Sequence, residues 1–107
     1  MEESLCIVAI VERGKADHIV EEAKRAGANG ATILYGRGTG EHEALRFFNI
    51  QIESSKEVIL VIVEQEKYRS IFEAMIQAGK LKEPGMGIIF TLPVANLVGL
   101  RHRPKVK

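Results

Sequence analysis

The chain has a single cysteine among its 107 residues, no tryptophan and three prolines. One thiol, Cys6, excludes an internal disulfide framework, and its place within an apolar stretch gives it the role of a small buried side chain. No apolar run approaches the roughly 18 residues of a membrane span. The first residues include Glu2 and Glu3 where a signal peptide would carry basic residues, so a cytoplasmic protein is the expectation. Charge of one sign is missing too. Fifteen basic and fourteen acidic residues leave a net charge of +1, which gives no chain-wide attraction to nucleic acid or an anionic membrane. The basic residues that do gather, Arg101, Arg103, Lys105 and Lys107, form a tail over 101–107, read as a solvated run.

Chemistry-bearing clusters are equally sparse. His18, His42 and His102 fall on a helix, a loop and the tail, and the neighbours Glu41, His42 and Glu43 point different ways in extended chain, so no metal site is expected. Ser54 and Ser55 have no histidine or aspartate near them in sequence to activate a hydroxyl. The segment Glu12-Arg13-Gly14 after the first strand is not a basic phosphate loop of the acylphosphatase kind. The first and third core strands carry no aromatic on which RNA bases could stack. The chain reads as a non-enzyme that does not bind nucleic acid.

What is present is a single α/β pattern over 1–107. Leu5 to Val11 is almost wholly apolar and β-branched, as a covered central strand requires. Ala16, Ile19, Val20, Ala23 and Ala26 then recur at helical spacing, and Gly27 stands where a helix ends. Ala31 to Tyr35 forms a second strand that runs into a glycine-rich loop, Gly36, Gly38 and Gly40. Such a loop leaves backbone N–H groups free to turn toward an anion. Phe48, Ile50 and Ile52 alternate with polar neighbours, Ser54-Ser55-Lys56 reads as a turn, and Val58 to Val63 is the most β-prone stretch of all. Tyr68, Ile71, Phe72, Met75 and Ile76 make a second helical stripe, with Gly79 placed to cap it. Pro84, Gly85 and Gly87 form another glycine loop before the last strand, Ile88 to Leu92, and apolar Ala95 to Leu100 is read as its edge continuation. The order β-α-β-β-α-β predicts an α+β ferredoxin-like plait, an antiparallel four-stranded sheet with two helices on one face. Because the strands are apolar on both sides, the uncovered face predicts self-association.

With these parts in place the chain resembles the PII-type signalling proteins, a trimeric plait family that includes nitrogen regulators. Gly27 to Thr32, GANGAT, resembles the family's Gly-x-x-Gly-x-Thr lead-in to the second strand. Gly38 and Gly40 resemble the glycines at the base of its T-loop, and PGMGIIF at 84–90 resembles its B-loop and following strand. The resemblance implies a homotrimer with ligand clefts between subunits. The segment 37–56 would be a shortened T-loop holding a hairpin, and Glu41, His42, Phe47 and Phe48 would face a target protein, a transporter or an enzyme.

The departures bear on the ligand. Glu41 stands where the family has an arginine and Ile88 where it has a lysine. Gly99 replaces the first of two C-terminal arginines, leaving Arg101 to match the second, and His42 is nearest the glutamine that helps hold 2-oxoglutarate and magnesium. A triphosphate without those cations loses the charge-assisted bonds that dominate phosphate affinity, so tight ATP binding of the usual kind is not expected. Thr32, Arg37, Gly38, Thr39, Gly40, Gly85, Met86, Gly87, Arg101 and Arg103 remain as a candidate intersubunit site, suited to a smaller anion or a monophosphate nucleotide, with an adenine nucleotide as the candidate effector. The alternative is a metal-binding trimer of the copper-tolerance type.

Overall fold

The computed structural model describes residues 3–38, 46–47, 50–51 and 54–100, with side chains at all of these except 46, 47, 50 and 51. In chain order the elements are β1 (Ser4–Glu12), α1 (Ala16–Arg25), β2 (Thr32–Gly38), β3 (Arg46–Phe47), β4 (Ile50–Gln51), β5 (Ser54–Glu64), α2 (Gln65–Gly79) and β6 (Ile88–Val94). Four of the strands form an antiparallel sheet in the order β2-β5-β1-β6, and β3 pairs with β4 in a separate two-stranded hairpin. This is the expected plait, with the two longest strands at its centre and a small hairpin inserted between β2 and β5.

Strand alternation sorts the side chains by face. Ile7, Ala9 and Val11 of β1 and Ile59, Val61 and Val63 of β5 point to the helices, and none is more than 4% exposed. Ile19 and Ala23 of α1 and Ile71 and Met75 of α2 close over them as one core. Tyr68 of α2 stacks against Phe72 at 5.1 Å between ring centroids, and its hydroxyl shares a 2.9 Å hydrogen bond with Thr91 Oγ1 of β6, tying the helix to the sheet edge.

The helix ends show how local chemistry sets boundaries. At the end of α1 the Gly27 N–H donates to the Lys24 carbonyl and the Ala28 N–H to the Ala23 carbonyl. Gly27 takes φ +124, the left-handed C′ glycine expected from sequence. The end of α2 differs from expectation: the left-handed residue is Lys80, φ 53, and Gly79 closes the helix. Gly79 is fixed by space, since a Cβ there would lie 2.9 Å from Ile19 Cδ1 and 3.0 Å from Leu81 Cγ.

Three strand boundaries also differ. β2 continues through Gly36, Arg37 and Gly38, and β5 begins at Ser54, because Gly38 pairs with Ser54, Arg37 with Ser55 and Gly36 with Lys56. Ser54-Ser55-Lys56 is therefore strand where a turn was expected, and the segment between the strands is 39–53, shorter at both ends than 37–56. The hairpin expected within it is present as β3 and β4. On the other side, β6 accommodates Pro93 because it is an edge strand and ends at Val94, so Ala95 to Leu100 does not extend the sheet.

Among the described residues, no element covers the other sheet face. Across it, Leu34, Val58, Ile10 and Ile88 stand in one row, Thr32, Leu60, Val8 and Phe90 in the next, and Ile62, Cys6 and Leu92 in a third. Leu34 is 48% exposed, Ile88 56%, Phe90 39% and Leu92 49%.

Candidate functional site

The two glycine segments come to the same end of the sheet by way of the register. Gly36 lies opposite Lys56, Lys56 opposite Glu12, and β6 begins at Ile88 opposite Ile10, so the Pro84–Gly87 turn lies level with the ends of β1 and β2. They do not meet within one chain. β2 and β6 are the opposite edges of the sheet, three strand spacings or roughly 14 Å apart. A small ligand touching both would have to sit between neighbouring subunits.

The turn itself is held firmly. Gly85 and Gly87 have φ of +82 and +132, and a Cβ on Gly87 would lie 2.6 Å from the backbone oxygen of Ile10. Gly87 is therefore glycine because the turn docks directly on β1, while Gly85 is glycine for its backbone conformation alone, with open space around it. Met86 is half-buried between them, and its N–H donates to the Glu83 carbonyl at 3.3 Å.

On the opposite edge Gly38 is half-buried and Arg37 exposed, and alternation puts Arg37 on the helix side, away from Gly36 and Gly38. Thr32 is exposed at the start of β2, six residues or about 20 Å along the strand from Gly38. Leu100 lies at that other end, lining a pocket with Gly27, Asn29, Glu64 and Lys67. The candidate residues of one chain are thus dispersed over two edges and two ends. Thr39, Gly40, Glu41, His42, Phe48, Arg101 and Arg103 lie outside the described residues, and Phe47 contributes its backbone to β3.

Four residues that sequence reasoning did not place in the site organise this end of the sheet. Lys56 Nζ lies 2.6 Å from Glu12 Oε2, and Ser54 Oγ donates to the same oxygen at 3.3 Å. Glu57, next along β5 and on the helix side, is 7% exposed and accepts the Ala16 N–H at 2.9 Å, capping α1 with a carboxylate. An apolar-pattern search passes over both carboxylates, because one ends a strand and the other looks like the start of one. Nearby, the Arg13 guanidinium sits 5.9 Å above the Tyr35 ring, and the Arg13 N–H donates to the Ser55 carbonyl. Elsewhere, His18, Glu21 and Glu22 place ligand atoms within 4.8 Å on the outer surface of α1, but both glutamates already face Arg25. Burial pushes the Cys6 thiol above its ordinary 9.0, against a smaller lowering by a hydrogen bond from the Val61 backbone.

No curated protein sequence matches the chain. Among solved structures it is similar to the GlnK–ATP complex of B. subtilis, with a TM-score of 0.71 and 16% identity over 90% of this chain and 85% of that one. That likeness confirms the plait. The description "Nitrogen regulatory protein P-II" belongs to a family model that matches residues 5–104, a span holding every strand from within β1 to β6, both glycine segments and Arg101 and Arg103, and the chain belongs to that family.

Proposed function

We propose that the protein is a non-enzymatic regulator of the P-II type. It assembles as a homotrimer through the bare sheet face, binds a small anionic effector between subunits, and controls a target transporter or enzyme through the segment 39–53. The effector class is an adenine nucleotide with few phosphates or a small anion. The solved neighbour is an ATP complex, which supports the adenine part. Glu41, Ile88 and Gly99 in place of cations argue for fewer phosphates. Nitrogen metabolism is the setting that the family description suggests.

One observation carries this reading. The two glycine segments share an end of the sheet but occupy opposite edges, so that association of subunits is what can bring one chain's β2 edge toward another's Pro84–Gly87 turn, and the bare faces offer the surface for it. Binding then acts on the target only if the effector prefers one state of the segment that follows Gly38, because equal affinity for two states shifts nothing.

Calorimetry with AMP, ADP, ATP and inorganic phosphate on the full chain tests the proposal, with Arg101→Ala in parallel. Binding of at least one adenine nucleotide, AMP or ADP no weaker than ATP, and at least tenfold weaker binding in the variant are expected. No heat from any of the four ligands removes the sensor and leaves a scaffold.

A further inference from the structure

We infer that Glu12 is a latch that fixes the root from which the segment 39–53 leaves the sheet. Its Oε2 atom collects two donors from alternate residues of β5, the Lys56 ammonium at 2.6 Å and the Ser54 hydroxyl at 3.3 Å. Ser54 is the first residue of β5 and pairs with Gly38, the last of β2. One carboxylate on the central strand β1 therefore holds the start of β5, where the inserted segment finishes, and through the Gly38–Ser54 pairing it steadies the end of β2, where that segment begins.

The surroundings make this contact directional. The Lys56 side chain is 12% exposed and that of Glu12 is 35% exposed, so the ammonium is largely withdrawn from water and the carboxylate beside it supplies compensating charge. On the β1 side the pair is walled by strand. On the β2 side its neighbours are glycines: a Cβ at Gly36 would meet nothing within 4 Å, and one at Gly38 would just touch the Lys56 stem at 3.7 Å. The root is thus bordered by strand on one side and by glycines on the other, and the bonds to Glu12 add a side-chain tie to the backbone ladder that pairs β5 with β2. The backbone bond from Arg13 N–H to the Ser55 carbonyl, 3.1 Å, extends the same β1–β5 contact by one residue on the helix face. With the latch closed, Ser54 and Lys56 stay in register with Gly38 and Gly36. With it open, the last pairs of the β2–β5 ladder are free to separate while the core below them, from Val58 and Ile59 onward, remains paired. The role assigned to Glu12 holds whichever effector binds, and does not depend on an effector at all.

Amide hydrogen exchange resolved by residue tests it, on the full chain and on Glu12→Gln, Lys56→Met and the double variant Glu12→Leu/Lys56→Met. Glu12→Gln keeps the shape and the hydrogen-bonding oxygen but removes the charge that compensates Lys56. Its expected effect is at least tenfold faster exchange at the amides of 36–38 and 54–56, with the slow amides of α2 within twofold of the parent. Lys56→Met is expected to give the same pattern. The double variant, which removes both charges of the pair, is expected to recover α2 protection fully and root protection only in part, because the Ser54 bond is lost with Glu12. Root exchange within twofold of the parent in Glu12→Gln overturns the inference. So does acceleration of root and α2 amides by the same factor, since that would mean the pair merely adds to global stability. If Lys56→Met does not fold, Glu12→Gln decides alone.

Discussion

Glycine does different work at neighbouring positions of the Pro84–Gly87 turn, and the difference is measurable. Gly85 at φ +82 has open space where a Cβ would go, so replacing it introduces backbone strain alone, about 1–2 kcal/mol for a left-handed conformation. Gly87 at φ +132 lies farther from any region open to other residues, and its Cβ would also press to 2.6 Å on the Ile10 backbone oxygen, which is held in the β1–β6 ladder and has no flexible end to swing aside. Strain of about 1–3 kcal/mol and a displaced strand then add. Gly87→Ala is expected to cost about 3 kcal/mol or more in urea denaturation, and Gly85→Ala no more than about half of that. Equal losses at both positions would show that the turn does not dock on β1 as described. At the end of α2 the same reasoning runs the other way. Lys80 carries the left-handed conformation with a Cβ, while Gly79 is held to glycine by Ile19 and Leu81.

Elements in this chain are defined partly by contacts that no local pattern contains. Helix α1 starts at Ala16 after Lys15, with no capping side chain from its own neighbours. Its first N–H instead finds Glu57, 41 residues away, almost fully buried in β5. A carboxylate at a helix N-terminus both satisfies an otherwise orphaned donor and meets the positive end of the helix dipole. Glu57→Ala is expected to cost about 2 kcal/mol, combining a lost cap with a buried N–H left unpaired, and Glu57→Gln about half as much, since the amide oxygen still accepts. Chemical denaturation gives the totals, and amide exchange should show the first turn of α1 loosened ahead of α2. A cost below about 0.5 kcal/mol for Glu57→Ala would mean water replaces the cap. This contact also explains what the sequence could and could not disclose. The apolar strands, both helices, the Gly27 terminus and the plait order were legible because each rests on periodicity or on a turn residue beside it. The start of β5 was not: Ser54, Ser55 and Lys56 look like a turn, and they are strand because Gly38, Arg37 and Gly36 pair with them and Glu12 reaches across. For the same reason the candidate site was half legible. Its glycines declare themselves in sequence, while the Glu12–Lys56–Ser54 group at their base depends on a pairing of strands that are more than forty residues apart.

For the whole molecule, the decisive feature is the contrast between the two faces of one sheet. The helix-covered side is closed, whereas the other presents eleven side chains in three rows, of which Thr32 is the one hydroxyl and Cys6 the one thiol. Covering the exposed halves of Leu34, Ile88, Phe90 and Leu92 yields on the order of 1 kcal/mol each, several per subunit, before any polar contact is counted. A face this apolar is rarely left in water, and charged groups bound it at both ends, Glu12 and Lys56 on one side and Glu64 on the other. Phe90 stands in the middle row opposite Val8, yet in the single chain it is 39% exposed. A charge there spares the subunit core and penalises association. Light scattering on the purified protein is expected to give about three times the 11.9 kDa of one chain, and Phe90→Asp about one times, with the helical circular-dichroism signal unchanged. Cys6 supplies an independent reading, because it lies in the adjoining row and burial already holds its thiol protonated beyond its ordinary range. A thiol reagent at pH 8 should label the assembled protein slowly and Phe90→Asp at least tenfold faster. A parent protein that runs as a monomer and labels at the rate of the variant would leave the β2 edge and the Pro84–Gly87 turn permanently apart, and would remove the shared cleft that the proposed effector binding requires.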